Sequence, residues 1–268
     1  MNPNKKRTDP RGPVESLVSR SGAVVASYGG GTNSTAMIIE WVSRGLRLDA
    51  VVFADTEAEK PWTYELIRIF SRWLVAHGYP PVVIVHNDGM HGSLERECLT
   101  NGCLPSVAFG YSSCSDKYKL RPFRKWLKAS GLQNVTVLLG FDAGEPGRKS
   151  RALKYASGYD KVFPLIEWGF GRERCIETID RAGLPRPGKS ACFFCPNTKP
   201  HEILDLQTYH PDLVERAIAI EDRAANSLLN IKGLGRAWSW KDFICADDAQ
   251  QKMFGSACMG QPCGCYDG

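Results

Sequence analysis

The most constraining feature of the chain is a short apolar run that leads directly into three consecutive glycines. Residues 23–37 read Ala-Val-Val-Ala-Ser-Tyr-Gly-Gly-Gly-Thr-Asn-Ser-Thr-Ala-Met, which predicts a buried strand, a glycine loop and then a helix. Glycines allow backbone N–H groups to turn toward one point, and the N-terminus of the following helix adds partial positive charge. The segment therefore predicts a phosphate-binding loop, and a nucleotide is its expected ligand.

Apolar runs that alternate with helical patterns predict the fold class. Buried strands are predicted over residues 23–27, 48–54, 82–86 and 135–140, and helices over residues 35–44, 61–77 and 121–129. This alternation indicates an α/β fold with a twisted parallel sheet, helices on both faces, and a ligand at the carboxyl ends of the strands. Beyond about residue 170 the strand signals fade, and helices are predicted over residues 172–182 and 212–229.

Composition and charge suggest three segments along the chain. Residues 1–20 are polar and basic and contain three prolines, so we expect a flexible basic arm. Residues 21–170 should form the α/β nucleotide-binding domain, and residues 171–268 a helical, cysteine-containing C-terminal part. The arm lacks the apolar core of a secretory signal, and no apolar stretch approaches the roughly 20 residues that span a bilayer. We therefore expect a cytoplasmic protein with no membrane partner.

The chain contains many cysteines for its length. The chain has ten cysteines among 268 residues, and two of them form the C-x-x-C motif Cys192-Phe-Phe-Cys195. Reducing compartments disfavour a disulfide framework, so metal binding or redox chemistry is the better explanation for this count. A net charge of +5 is mild, and it fits an anionic substrate or a nucleic acid without requiring either one.

The glycine loop resembles the PP-loop, which is usually written S-x-G-G-x-D-S. This chain has one additional residue in the loop, and it has Asn33 at the acidic position. Asparagine can donate and accept hydrogen bonds, but it cannot add negative charge beside Mg²⁺. The resemblance implies that phosphate is held by the loop residues Ser27, Tyr28, Gly29, Gly30, Gly31, Thr32, Asn33, Ser34 and Thr35.

Four further segments, in the same order, are similar to elements of the phosphoadenosine phosphosulfate (PAPS) reductase family. They are Asp55-Thr56 after the second strand, the segment 113–122 around Cys114, the segment 140–148 after the fourth strand, and the segment 164–168. The resemblance implies a Rossmann-like PP-loop domain that binds an adenine nucleotide. It also implies further nucleotide-binding residues: Asp55, Thr56, Gly140, Asp142, Glu145 and Arg148. The implied catalytic residues are Asn33, Asp55, Lys117 and Arg121.

Two departures from the classical reductases bear on the expected activity. The chain lacks their Glu-Cys-Gly-Leu-His tail, and it keeps a full glycine loop of the kind found in ATP-using relatives. We therefore expect an ATP pyrophosphatase that uses Mg²⁺ and adenylates an acceptor for sulfur transfer, with tRNA or DNA as the acceptor. A PAPS or adenylylsulfate reductase is an alternative, and so is a non-catalytic module that binds a nucleotide or a nucleic acid.

The same resemblance implies a metal centre. Relatives with this arrangement bind a [4Fe–4S] cluster through a C-x-x-C motif and a distant cysteine, so Cys114, Cys192 and Cys195 are the expected ligands, with Cys263 as a fourth. A zinc site is the alternative, because tetrahedral zinc also takes four thiolate or imidazole ligands. The hypothesis also allows two partners: a cysteine desulfurase as the sulfur donor, and a second copy of the chain in a homodimer.

Overall fold

A five-stranded parallel sheet forms the centre of the computed structural model, which describes residue 14, residues 22–154 and residues 157–247. The strands are β1 (Ala23–Tyr28), β2 (Ala50–Asp55), β3 (Val82–His86), β4 (Val135–Leu139) and β5 (Asp160–Val162). They lie in the order β3-β2-β1-β4-β5, and each neighbouring pair is parallel. The predicted parallel sheet is therefore confirmed, and β5 extends it by a strand that the sequence patterns did not predict.

Helices connect the strands and continue through the second half of the chain. They are α1 (Thr32–Ser43), α2 (Pro61–Ala76), α3 (Leu94–Asn101), α4 (Arg121–Ala129), α5 (Pro146–Lys154), α6 (Pro164–Glu167), α7 (Arg172–Arg181), α8 (Pro200–Tyr209) and α9 (Pro211–Ala224). Shorter helical turns cover Ser106–Phe109, Ser113–Ser115, Asp116–Leu120 and Ala225–Ser227. Proline occupies the first turn of α2, where its fixed φ and missing N–H cost nothing.

The central strand β1 has a buried layer on each face. Successive residues of a strand point to opposite sides of the sheet. On one side Val24 and Ala26 belong to the same apolar core as Trp41 of α1 and Ile179 of α7. On the other side Val25 belongs to a second core, which contains Phe123 and Leu127 of α4. Helices therefore cover both faces, as the alternating pattern predicted, and the carboxyl edge of the sheet remains available to the loops.

The chain divides into two compact units. The first unit contains the sheet and consists of Met1–Met90 with Ser115–Cys192, and the second consists of His91–Cys114 with Phe193–Gly268. The domain boundaries near residues 20 and 170 stay a prediction, and the basic arm lies outside the described residues except for Val14. Within the described ranges, no helix is both long and apolar enough to cross a membrane.

Candidate functional site

The glycine loop joins the central strand to helix α1 at the carboxyl edge of the sheet. β1 ends at Tyr28 and α1 begins at Thr32, so Gly29–Gly31 form the whole connection. Gly30 has φ +69°, a left-handed conformation that is strained for any residue with a Cβ. Gly31 is the N-cap residue of α1; its backbone is extended, and it has no side chain to cap the helix. The first-turn N–H groups of a helix have no acceptor within it, so this end is suited to an anion.

Two hydroxyl side chains of α1 hold the loop in its shape. Ser34 Oγ accepts a hydrogen bond from the Gly29 N–H at 3.2 Å and lies 3.1 Å from the Gly31 carbonyl oxygen. Thr35 Oγ1 lies 2.9 Å from the same oxygen and 3.3 Å from the Tyr28 hydroxyl. Burial raises the pKa of Tyr28 well above its usual range, so this phenol stays neutral. The hydroxyls of Ser34 and Thr35 thus hold the glycine loop in this conformation.

The loop after β4 packs directly on the first turn of α1. A Cβ atom added to Gly140 would lie 2.7 Å from Ser34 Cα and 2.9 Å from Ser34 N, distances at which the backbone must move. Glycine is therefore required here by contact rather than by its backbone conformation. This contact places Gly140 beside the glycine loop, and its role in nucleotide binding stays a prediction.

Asn33 lies at the centre of a polar network beside the glycine loop. Its Nδ2 donates to Asp142 Oδ2 at 2.9 Å and to Glu145 Oε2 at 3.2 Å. Its Oδ1 accepts from Arg172 Nη1 at 3.2 Å. Glu145 also accepts from Arg148 Nη1 at 2.7 Å. Four predicted site residues, Asn33, Asp142, Glu145 and Arg148, thus belong to one hydrogen-bond network. Arg172 also belongs to it, although no sequence motif indicated this residue.

Asp55 ends β2 with one carboxylate oxygen already occupied. Its Oδ1 accepts from the Glu57 N–H at 2.8 Å and from the Tyr64 hydroxyl at 2.9 Å. Burial, and then the charge of Asp55, raise the pKa of Tyr64 above its usual range, so the phenol remains a donor. Asp55 Oδ2 lies 3.9 Å from His86 Nδ1, beyond hydrogen-bond distance. Among the described residues, Asp55 Oδ2 therefore has no donor within hydrogen-bond distance.

A buried glutamate, which the sequence motifs did not indicate, lies between the glycine loop and Cys192 within the first unit. The side chain of Glu59 is fully buried and accepts from Lys119 Nζ at 2.8 Å. Ser190 Oγ lies 3.4 Å from Glu59 Oε2 and also donates to the Gly29 carbonyl oxygen. These partners are more than 50 residues apart in sequence, so no local pattern could have revealed them.

The predicted metal ligands are distributed over both units. Cys192 belongs to the first unit; its Sγ lies 3.2 Å from Thr56 Oγ1, and its backbone pairs with that of Glu59. Cys114 and Cys195 belong to the second unit. Across residues 14, 22–154 and 157–247, no three or more His, Cys, Asp or Glu side chains are arranged to hold a metal ion. Cys263 lies outside these residues, so the four-cysteine site stays a prediction.

The cations predicted at the site, Lys117 and Arg121 as catalytic residues and Arg148 as a nucleotide-binding residue, have protein partners. Arg121 Nε donates to Asp116 Oδ2 at 2.8 Å, and both side chains are exposed. The Lys117 ammonium lies 5.5 Å from the ring centroid of Tyr118. The Arg148 guanidinium lies 4.3 Å above the Phe141 ring, in addition to its bond with Glu145. Of these three cations, Arg148 is the one that belongs to the network around Asn33.

The strand order and the loop together define a Rossmann-like α/β fold whose glycine loop is similar to a PP-loop. The solved structures that resemble the chain include phosphoadenylyl-sulfate (PAPS) reductase from Candida auris, with 20% identity and a TM-score of 0.48, covering 66% of this chain and 87% of that one. They also include the U34-tRNA thiolase NcsA from Methanococcus maripaludis with its [4Fe-4S] cluster, with 13% identity and a TM-score of 0.44, covering 78% and 75%. No protein-family model and no curated protein matches the chain.

Proposed function

We propose that the chain is an ATP-binding enzyme that adenylates an acceptor in preparation for sulfur transfer. The observation that carries this proposal is the glycine loop Gly29–Gly31 between the central strand and α1, whose N-cap residue Gly31 has no side chain to occupy the first-turn N–H groups. Gly140 supports it, because only a residue without a side chain fits against the first turn of α1. A backbone cradle of this kind suits a chain of phosphates at the carboxyl edge of a parallel sheet.

The proposed reaction is an attack on the α phosphate of ATP. An oxygen of the acceptor forms a bond to the α phosphorus while the bond from that phosphorus to the bridging oxygen breaks, and pyrophosphate leaves with the electron pair. The first-turn N–H groups of α1 would hold the departing phosphates and stabilise the charge that develops on them. Hydrosulfide would then form a bond to the acceptor carbon as the carbon–oxygen bond to AMP breaks, and AMP leaves with the electron pair. A persulfide carrier would release hydrosulfide when a second cysteine thiolate attacks its inner sulfur, which leaves the two cysteines as a disulfide.

Asp55 is the carboxylate that we assign to Mg²⁺ or to the ribose. Mg²⁺ usually binds through one or two carboxylates together with phosphate oxygens. Both oxygens of Asp142 and of Glu145 already accept hydrogen bonds from this chain, while Asp55 Oδ2 has no donor within hydrogen-bond distance among the described residues. Asp142 and Glu145 would instead fix the position of Asn33.

Calorimetry with ATP and a pyrophosphate-release assay with tRNA or DNA present test this function. The loop variant Gly30→Ala should lose ATP binding, because alanine is strained at φ +69° and its Cβ would lie 3.0 Å from Thr63 Cγ2. Gly45→Ala is the matched control, since Gly45 has φ +63° at the far end of α1 and nothing within 4 Å. Absence of ATP binding by the wild-type chain would contradict the proposal.

Two other outcomes would favour one of the two alternative functions that the sequence analysis left open. Tighter binding of PAPS than of ATP, with sulfite released, would identify a sulfonucleotide reductase. Nucleotide binding without any pyrophosphate release would identify a non-catalytic module.

The sulfur carrier is proposed to involve Cys192 and the other cysteines of the predicted set. Thiolates suit both an iron–sulfur cluster and zinc, and a thiol can also carry persulfide sulfur delivered by a cysteine desulfurase. Anaerobic purification followed by an absorption spectrum and iron and zinc analysis separates these carriers. Cys192→Ser should reduce the metal or persulfide content, while Cys245→Ser, at an exposed cysteine, should leave it unchanged.

A further inference from the structure

Helix α5 is short, strongly basic and almost unpacked. Its nine residues include the cations Arg148, Lys149, Arg151 and Lys154, contain no acidic residue, and have no buried member. Helices of this length in proteins draw most of their stability from a packed apolar face, and α5 has none. Its exposed surface is therefore available to a partner, and its charge requires that partner to be anionic.

The first turn of α5 is anchored on two stacked aromatic rings. Phe141 and Phe163 have ring centroids 5.6 Å apart with planes 28° apart. The Arg148 guanidinium lies 4.3 Å from the Phe141 centroid, and Lys149 Nζ lies 5.4 Å from the Phe163 centroid. A cation that is attracted to a ring face is already partly held in place, so it has less conformational freedom to lose when it binds an anion. The last turn is tied to β5, since Lys161 Nζ donates to the Ala152 carbonyl at 2.7 Å.

The same cations are continuous with the candidate nucleotide site. Arg148 bonds to Glu145, Glu145 accepts from Asn33, and Asn33 accepts from the exposed Arg172. We use the term basic rim for the set Arg148, Lys149, Arg151, Lys154 and Arg172. The rim begins beside the first turn of α1 and extends along α5, so an anion on the rim would lie next to the phosphate loop.

The basic rim is less neutralised than the other basic stretch of the first unit. Around α4 most cations have carboxylate partners: Arg121 pairs with Asp116, Lys125 with Asp88, and Lys119 with Glu59, while Lys128 has none among the described residues. In the described part of the chain, Arg148 is the rim residue with an ion pair, and none is found for Lys149, Arg151 or Lys154. Three of the four cations of α5, but only Lys128 of the four on α4, thus lack an ion pair among the described residues.

We propose that the basic rim binds the sugar–phosphate backbone of a nucleic acid and holds an acceptor nucleotide beside the glycine loop. The acceptor role rests on the proposed function, whereas the binding does not. The exposed cations Arg148, Arg151 and Lys154 on one short helix suit a phosphate backbone, whose affinity comes from counterion release and depends strongly on salt. Arg and Lys contacts of this kind set the position of the strand without specifying its sequence.

Fluorescence anisotropy of the full chain tests the rim with three labelled probes: a 20-nucleotide single-stranded RNA, the DNA of the same sequence, and a folded tRNA. The double variant Arg151→Gln/Lys154→Gln should weaken binding about tenfold and reduce the salt slope by about 1.4 for a single strand. The control Lys125→Gln/Lys128→Gln removes the same charge from α4 and should change binding little. Preference among the probes identifies RNA or DNA as the partner.

The outcomes separate this proposal from the proposed function. Neither double variant touches the glycine loop, so ATP binding by calorimetry should be unchanged in both. Nucleic-acid binding that depends on the rim, in a chain that binds no ATP, would support the rim and contradict the proposed function. Equal losses in the two double variants, no loss in either, or equally tight binding of poly-glutamate would overturn the rim proposal.

Discussion

Asn33 Nδ2 donates a hydrogen bond to Asp142 Oδ2 at 2.9 Å, across 109 residues of sequence. Asp142 is buried, and Glu145 accepts from the same amide group. The environment of position 33 therefore requires a donor toward two carboxylates and an acceptor toward Arg172. A neutral amide supplies both, whereas a carboxylate supplies the acceptor alone. This explains how an asparagine fits at a loop position where the PP-loop pattern has aspartate.

Replacing Asn33 with aspartate should destabilise the loop rather than restore a metal ligand. The change removes two hydrogen bonds and places a third carboxylate against Asp142 and Glu145, with Arg172 as partial compensation. We expect the free energy of unfolding to fall by about 1–3 kcal/mol, the usual cost of leaving buried polar groups without a donor. Chemical denaturation at pH 7 measures this change.

Asn33→Ala is the control that separates repulsion from the loss of hydrogen bonds. Alanine removes the same two donors without adding charge, so it should be less destabilising than aspartate at pH 7. Equal stability of the wild type and Asn33→Asp would show that the two carboxylates do not depend on the amide. A gain in ATP affinity in Asn33→Asp would show that the position favours a metal ligand.

Gly140→Ala should disturb the start of α1 more than its single methyl group suggests. The added Cβ would lie 2.7 Å from Ser34 Cα, so either the β4 loop or the helix must shift. Overpacking of this kind usually costs about 1–3 kcal/mol, and ATP affinity should fall because the phosphate loop moves with α1. Gly147→Ala is the matched control: it has open space, and alanine in a helix should stabilise by about 0.5–1 kcal/mol. Equal ATP affinity in the two variants would exclude the contact as a determinant of binding.

The parallel sheet was predictable because its strands carry local signals. β1 to β4 are apolar runs bounded by polar or glycine residues, and each lies within two residues of its predicted limits. The three-residue strand β5 is too short to give a periodic pattern, and its existence depends on pairing with β4. Helix α1 begins at Thr32 rather than at the predicted residue 35, because Gly31 rather than a polar side chain precedes it.

The polar network of the site was less predictable, because its partners are distant in sequence. Asn33, Asp142, Glu145 and Arg148 were recognised as individual motif residues, but their common contact was not. Glu59 and Ser190 gave no signal, since a glutamate before a helix and a serine in a loop are usually solvated. Their placement depends on tertiary contacts that join residues 131 positions apart. A single sequence contains no local pattern that reports such a pair.

Ser190→Ala should weaken nucleotide binding while leaving the fold intact. The Ser190 hydroxyl donates to the Gly29 carbonyl, and in a planar peptide the Gly30 N–H must then point the opposite way. Loss of one such bond usually costs about 1 kcal/mol, so we expect a severalfold weaker Kd for ATP. Ser43→Ala is the control, since its hydroxyl also donates to a backbone carbonyl but at the far end of α1. Retention of ATP binding in Ser190→Thr, which keeps the hydroxyl, would show that the hydroxyl orients the loop and that the size of the side chain is not decisive. An unchanged Kd for ATP in Ser190→Ala would contradict this role of the hydroxyl.

Glu221 should make the stability of the chain depend on pH. Its buried carboxylate accepts from the N–H groups of Leu234, Trp240 and Lys241, at 2.6, 2.9 and 3.1 Å, yet burial outweighs these bonds and raises the pKa of Glu221 above its ordinary 4.5. A raised folded-state pKa means that the folded chain binds the proton more tightly than the unfolded chain does. The stabilisation that comes from this protonation is therefore present below pH 4.5 and is lost as pH rises through the folded-state pKa. Glu221→Gln cannot titrate, so the stability advantage of the wild type over this variant should shrink as pH rises from 4 to 8 in chemical denaturation. The exposed Glu215 of the same helix provides the control Glu215→Gln, and a wild-type advantage that grows with pH would contradict the assignment.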